Sequence, residues 1–212
     1  MIPVQKKISV IMPSYLTKYE GSAKNRIEKF NRAVKSFLNS VYYNKELIIV
    51  SDGCEKTIEA YEKLYSKKQE IILKKIDKQP LFSGNVRHEG IKAATGDYIC
   101  YLDTDDYFAL SHLAVIMNEF NNNEELDWLY YNDWYCIATN RSIVSETNPY
   151  HYGEIGTSSI AHRKNIDATW ENCDGYGHDF VFIQKLLKAS KKYKKIYGCG
   201  YYVAHTRNKY DF

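Results

Sequence analysis

The chain has 212 residues, 44% hydrophobic and 26% charged, with a formal net charge of +3. That length supports a substantial buried core, and the composition excludes a disordered or low-complexity chain. The charge is too small to argue for nucleic acid by itself, and no apolar run reaches the ~20 residues a membrane-spanning helix needs.

The first half alternates strand and helix. Ile8 to Pro13 predicts a buried strand; its apolar stretch, Ile8 to Met12, is too short for a signal-peptide core. Arg26 to Ser40 predicts a helix, with Ile27, Phe30, Val34, Phe37 and Leu38 recurring every three or four residues. Glu46 to Val50 predicts a second strand, stopped by Ser51-Asp52-Gly53. Thr57 to Lys68 reads as a polar surface helix and Glu70 to Lys75 as a third strand. Ser83 to Ala94 starts as a loop and becomes a helix. Tyr98 to Leu102 is the fourth strand, and Ser111 to Asn122 a helix with Ser111 as N-cap. This alternation implies an α/β fold, a mostly parallel central sheet with helices on both faces. Ligands of such sheets bind beyond the carboxyl ends of the strands.

The second half is less regular. Asp127 to Ala138 predicts a Tyr/Trp-rich strand, then a turn at Thr139-Asn140-Arg141 and a returning strand, Ser142 to Glu146. Tyr150 to Ile160 reads as a loop leading into a short strand, and Gly175 to Gly177 as a flexible loop. Asp179 to Ser190 predicts a helix with Phe180, Ile183, Leu186 and Leu187 on one face. Ile196 to Ala204 predicts a closing strand, with His205 just past it.

The fourth strand ends in Asp103, Thr104, Asp105 and Asp106. Three carboxylates within four residues repel one another unless something positive sits among them. Mg²⁺ and Mn²⁺ prefer hard oxygen ligands and accept diphosphate oxygens as co-ligands. The pattern therefore points to a metal-diphosphate site, against the plainer reading of a solvated acidic loop. The five cysteines, Cys54, Cys100, Cys136, Cys173 and Cys199, are odd in number and include no Cys-x-x-Cys pair. They predict a reduced cytosolic protein with neither a disulfide framework nor a zinc site.

Taken together, Ile8 to Tyr15 (ISVIMPSY), Leu47 to Gly53 (LIIVSDG), Asn85 to Gly90 (NVRHEG) with Ala93 to Asp97 (AATGD), Leu102 to Asp106 (LDTDD) and Gly177-His178-Asp179 resemble a GT-A fold glycosyltransferase of the family-2 group. The resemblance runs from about Ile8 to His205. It implies a single domain, with residues 1–106 binding the nucleotide sugar. Residues 107–212 form a smaller, irregular or antiparallel half holding the acceptor and the catalytic base. Two departures touch the nucleotide pocket: an insertion around Lys18 to Lys24, and Ser51 where the family usually has an acid.

By that resemblance Asp52 accepts a hydrogen bond from the nucleobase; on residues alone it is equally an Asp-Gly turn. Pro13, Ser14 and Tyr15 line the other side of the base. Asn85, Arg87, Asp103 and Thr104 belong with the nucleotide contacts, Arg87 offsetting the carboxylates and Asp103 reaching the ribose or a metal-bound water. Asp105 and His205 match the metal ligands, for Mn²⁺ or Mg²⁺. Asp106 supports the loop or caps the following turn. Asp179 matches the general base, although a first-turn carboxylate is favoured at any helix start. Trp134, Trp170 and Tyr176 either stack on a sugar or pack in the core, and His178 and His162 rank lower.

The implied activity is inverting transfer of a sugar from a nucleoside diphosphate sugar, UDP-linked by expectation, to an acceptor hydroxyl. The acceptor is a glycan, a lipid-linked group reached from the membrane surface, or another hydroxyl. Nucleic acid is the less favoured partner. Two rival readings stand: a nucleotidyltransferase, weakened by MPSYLTKYEG lacking a compact Gly-rich loop, and a non-catalytic sugar-nucleotide-binding scaffold.

Overall fold

The computed structural model describes residues 5–20, 22–132, 134–135 and 147–204. In chain order the elements are β1 (Ile8–Ser14), α1 (Arg26–Asn39), β2 (Lys45–Asp52), α2 (Glu55–Leu64), β3 (Ile71–Ile76) and α3 (Asn85–Ala93). They continue with β4 (Tyr98–Tyr101), β5 (Tyr107–Phe108), α4 (His112–Asn122), β6 (Trp128–Tyr131) and β7 (Trp134–Tyr135). A 3₁₀ turn at Thr157–Ser159 leads into β8 (Ile160–Arg163), α5 (His178–Ala189), β9 (Tyr193–Ile196) and β10 (Tyr201–Val203).

Seven strands form the central sheet in the order β3-β2-β1-β4-β8-β6-β9. Only β8 runs against its neighbours; the other pairings are parallel. Side chains alternate across each strand, so one strand feeds two layers. Val10 and Met12 of β1, Leu47 and Ile49 of β2, and Cys100 of β4 join the cluster under α1, α2 and α4. Ile11, Ile48, Val50, Ile99 and Tyr101 join the cluster under α3 and α5. Phe30, Phe37 and Phe120 are fully buried, each burial stabilising by about 2 kcal/mol. The expectation of a mostly parallel sheet covered on both faces is met.

α3 lies unusually close to this sheet. A Cβ on Gly90 would sit 2.5 Å from Ile11 Cγ2 and 3.0 Å from Val50 Cγ2. Only glycine lets the helix carrying Asn85 and Arg87 approach so near. At the amino end of the sheet, Glu46 is 2% exposed. It accepts hydrogen bonds from Lys7 Nζ, Ser9 Oγ and Thr95 N–H at 2.6 Å each, and from Thr95 Oγ1 at 2.8 Å. One carboxylate thus ties β1, β2 and the α3–β4 turn.

Several expected elements differ. Asp127 to Ala138 is not one strand: β6 belongs to the central sheet and β7 to a second sheet, order β5-β10-β7. Ile196 to Ala204 is likewise split between β9 and β10. The returning strand over Ser142 to Glu146 lies outside the described residues. In α1, Ile27 is 38% exposed, whereas Lys29 is fully buried on the apolar face. In α5 the core position is Phe182, with Phe180 half-buried. Ser111 occupies the N-cap position of α4 without a side-chain capping bond.

Candidate active site

Strands β1, β2, β3 and β4 end on one edge of the sheet, and the loops leaving them enclose a cavity of about 430 Å³. Six predicted residues line it: Pro13, Ser14, Tyr15, Asp52, Arg87 and Thr104. A larger open groove, about 820 Å³, runs between α1 and the second sheet beside Arg32, Tyr107 and Tyr202. Among the described residues, none of the predicted site residues lines that groove.

Asp52 is nearly buried at the end of β2. Its Oδ2 lies 2.7 Å from Lys78 Nζ, and its Oδ1 accepts the Gln79 N–H at 2.6 Å. The carboxylate therefore clamps the loop after β3 as well as facing the cavity. Lys78 Nζ also sits 4.9 Å from the centre of the Tyr15 ring. Tyr19, from the Lys18 to Lys24 insertion, places its ring 6.3 Å from that of Tyr15, and the Arg26 guanidinium lies 4.8 Å over Tyr19. Arg26 also donates to the Tyr15 carbonyl. The Ser14 hydroxyl is spent on Thr57 Oγ1 at 2.9 Å. Asn85 does not reach the cavity wall; its N–H donates to Ser83 Oγ at 3.2 Å.

The acidic loop is built in two tiers. Arg87, 8% exposed, donates to Asp103 Oδ1 at 3.2 Å and lies 5.3 Å over the Trp170 ring. Its Nε–H is buried with no hydrogen-bond partner among the described residues. Such a guanidinium suits an anionic ligand. Asp105 accepts the Arg32 guanidinium on its main-chain carbonyl at 2.5 Å. Asp106 points the other way, into the protein. The Tyr201 hydroxyl donates to its Oδ2 at 2.9 Å, and the Ala204 N–H donates to its Oδ1 at 2.7 Å. Burial, then the charges of Asp105 and Asp103, holds the Asp106 carboxyl well above the usual carboxylate range. Lys29 Nζ donates to the Ala204 carbonyl at 2.5 Å. The loop and the end of β10 are thereby locked together.

Asp179 lies in the first turn of α5, half-buried, with Oδ1 accepting the Phe180 N–H at 2.8 Å. Gly177 starts this helix at φ +98°, and a Cβ there would strike the Tyr152 ring at 2.7 Å. His178 lines the cavity, although its sequence signal was weak. Trp170 is core: fully buried, it donates Nε1–H to Tyr101 Oη at 2.8 Å. Tyr176 is 86% exposed. His205 and the Trp134 side chain lie outside the described residues.

Among the described residues, no three His, Cys, Asp or Glu side chains converge to enclose a cation. With Asp106 turned inward, Asp103 and Asp105 remain as the hard-oxygen donors of the loop. Two carboxylates fit Mg²⁺ or Mn²⁺ when a diphosphate completes the coordination.

Residues 9–190 match the family model described as Glycosyl transferase family 2. The chain belongs to glycosyl transferase family 2. An uncharacterized glycosyltransferase of Haemophilus influenzae is 34% identical over 114 residues, 52% of this chain and 41% of that protein. The chondroitin synthase of Pasteurella multocida is 25% identical over 202 residues, 87% of this chain and 19% of that protein. In fold, the family-2 chain superposes on S. aureus TarS 1-349 in complex with UDP-GlcNAc at TM-score 0.75 and 17% identity, covering 96% of this chain and 60% of that one. It superposes on the mannosyltransferase PcManGT of Pyrobaculum calidifontis, in complex with GDP-Man and Mn²⁺, at TM-score 0.64 and 11% identity, covering 98% and 59%. The fold is GT-A. The chain spans less than two thirds of the length of each of these relatives. Among the described residues no helix is long and apolar enough to cross a membrane.

Sequence reasoning passed over Tyr19, Arg26, Lys78 and Phe82 on the cavity wall of this family-2 protein and ranked His178 low. Tyr19, Lys78 and Phe82 come from segments without regular periodicity, and Arg26 stands at the first residue of α1, so only the folded loops bring them together.

Proposed function

We propose that this chain transfers a sugar from a UDP-linked donor to an acceptor hydroxyl with inversion. The observation that carries the reading is the cavity at the strand ends, where Tyr15, Asp52, Arg87 and Thr104 converge beside the Asp103–Asp105 loop. The UDP-GlcNAc held by the S. aureus neighbour supports a UDP-linked donor.

Pro13, Tyr15 and Asp52 hold the nucleobase, the carboxylate accepting its imide N–H. Arg87 directs its unused donor at the diphosphate and keeps Asp103 in place. Asp105 and, by sequence, His205 would hold Mg²⁺ or Mn²⁺, with Asp103 at the ribose or a metal-bound water; the Mn²⁺ of the PcManGT complex supports the metal. When bound, that ion neutralises charge on the diphosphate leaving group. Asp179 removes the proton from the acceptor hydroxyl; its bond from the Phe180 N–H fixes the carboxylate for that task. Attack from the face opposite the nucleotide inverts the anomeric centre.

The test is calorimetric titration of UDP with Mn²⁺ and then with EDTA, followed by turnover of UDP-sugars. Metal-dependent UDP binding, with Asp179→Asn losing about 10²- to 10⁴-fold in turnover while still binding donor, is the expected result. Near-normal turnover by Asp179→Asn removes the base assignment. Failure to bind UDP, GDP, dTDP and CDP alike removes the glycosyltransferase reading in favour of a scaffold.

A further inference from the structure

His178 opens α5 and stands on the cavity wall, whereas its neighbour Asp179 does not line the cavity. Its ring is held on two sides. It stacks on Phe82 with centroids 6.0 Å apart and planes at 17°, and it meets Trp170 at 6.0 Å. Its Nδ1 lies 3.2 Å from the Gly175 carbonyl oxygen. A carbonyl oxygen only accepts, so Nδ1 carries the proton. In the neutral ring Nε2 is then a bare acceptor. That atom is buried and has no hydrogen-bond partner among the described residues.

The surroundings favour the neutral ring. Burial, then the positive charge of Arg87, lowers the imidazole pKa; Asp179, the Gly175 carbonyl and Asp103 pull the other way less strongly. A buried acceptor without a donor is costly, and the cost falls when a ligand supplies an N–H or O–H. Phosphate oxygens carry no proton at neutral pH and are repelled by the lone pair. The nucleobase is held near Asp52 at the end of β2. The Arg87–Asp103 pair beside His178 lies at the end of β4, two strand positions away and so roughly 10 Å distant. The hydroxyls that remain are those of the ribose, which UDP itself carries, and those of the sugar beyond the diphosphate, so UDP and UDP-sugar titrations separate the two.

We propose that His178 Nε2 accepts a hydrogen bond from a hydroxyl of the donor sugar and so helps determine which sugar is transferred. This rests on the nucleotide-sugar reading given above. It makes His178 a specificity-determining residue, separate in role from the base Asp179.

Two variants test it. His178→Phe keeps an aromatic ring against Phe82 and Trp170 but has no acceptor. His178→Gln returns an amide oxygen near the position of Nε2. UDP and the UDP-linked forms of glucose, galactose and N-acetylglucosamine are titrated by calorimetry into the wild type and both variants, with melting temperatures confirming that each is folded. The expected result is unchanged UDP affinity throughout, with affinity for the preferred UDP-sugar about tenfold weaker in His178→Phe and largely restored in His178→Gln. Discrimination among the three sugars narrows in His178→Phe. Equal losses for UDP and UDP-sugar, or no loss for either, overturn the proposal while leaving the wild type a nucleotide-sugar binder. A wild type that binds none of these ligands overturns the nucleotide-sugar reading itself, and this inference with it.

Discussion

The hydroxyl of Tyr201 donates to the buried carboxylate of Asp106 at 2.9 Å and accepts the main-chain N–H of Asp103 at 3.1 Å. One phenol thus holds both ends of the acidic loop from below. Tyr201→Phe keeps the ring and removes both bonds. The expected cost is about 1–2 kcal/mol, or a fall of roughly 2–4 °C in melting temperature per kcal/mol. Thermal denaturation measures it, and an unchanged melting temperature would assign the loop's rigidity to its remaining bonds, from Ala204, Arg32 and Arg87.

Asp52 serves both the loop and, by the proposed reading, the base. Asp52→Asn keeps an oxygen for the Gln79 N–H but presents an amide where the carboxylate accepted. UDP affinity is expected to fall about tenfold to a hundredfold, with preference for UDP over CDP largely erased. Lys78→Ala, which removes a partner 44% exposed, should change stability by at most about 1 kcal/mol. Equal losses for UDP and CDP in Asp52→Asn would reduce Asp52 to a loop anchor.

Glu46 gives the fold an acid limit. Burial alone would raise its pKa, but the bonds from Lys7, Ser9 and Thr95 prevail and draw it from the ordinary 4.5 down to about 2. A depressed folded-state pKa contributes stability that is present above pH 4.5 and lost as pH falls toward 2, on the order of 3 kcal/mol in full. Glu46→Gln should be less stable than wild type at pH 7, and the difference should shrink steadily below pH 4.5. Melting curves across pH 2–7 decide it; a constant gap would mean that packing, not ionisation, accounts for the loss.

The part of the fold legible in sequence is the part with strong, local periodicity. β1, β2 and β4 are each centred on a dense apolar run, and the acidic end of β4 announces itself because no core strand needs three carboxylates. The second sheet was not legible. β5, β7 and β10 are two or three residues each, too short to show any alternation. Ile196 to Ala204 reads as one strand by hydrophobicity, yet the chain changes sheets within it at the loop containing Gly198 and Gly200. The pairing of Lys78 with Asp52 spans 26 residues and leaves no local trace. Lys29 did leave one, a charge on the apolar face of α1, but its partner Ala204 is 175 residues away. His178 was visible as a residue; its meaning depends on which ring nitrogen is tied to Gly175, and the fold alone sets that.

Trp170 gives the site an optical reporter of its own. Its indole is sealed from solvent, yet it lies 5.3 Å from the Arg87 guanidinium and 6.0 Å from the His178 ring. Indole emission responds to nearby charge. An anion drawn to Arg87, or a hydroxyl settling on His178, alters the field at Trp170 without exposing it to water. Occupancy of the cavity should therefore be readable by intrinsic fluorescence, with no label attached, while added aqueous quenchers leave that component of the emission untouched.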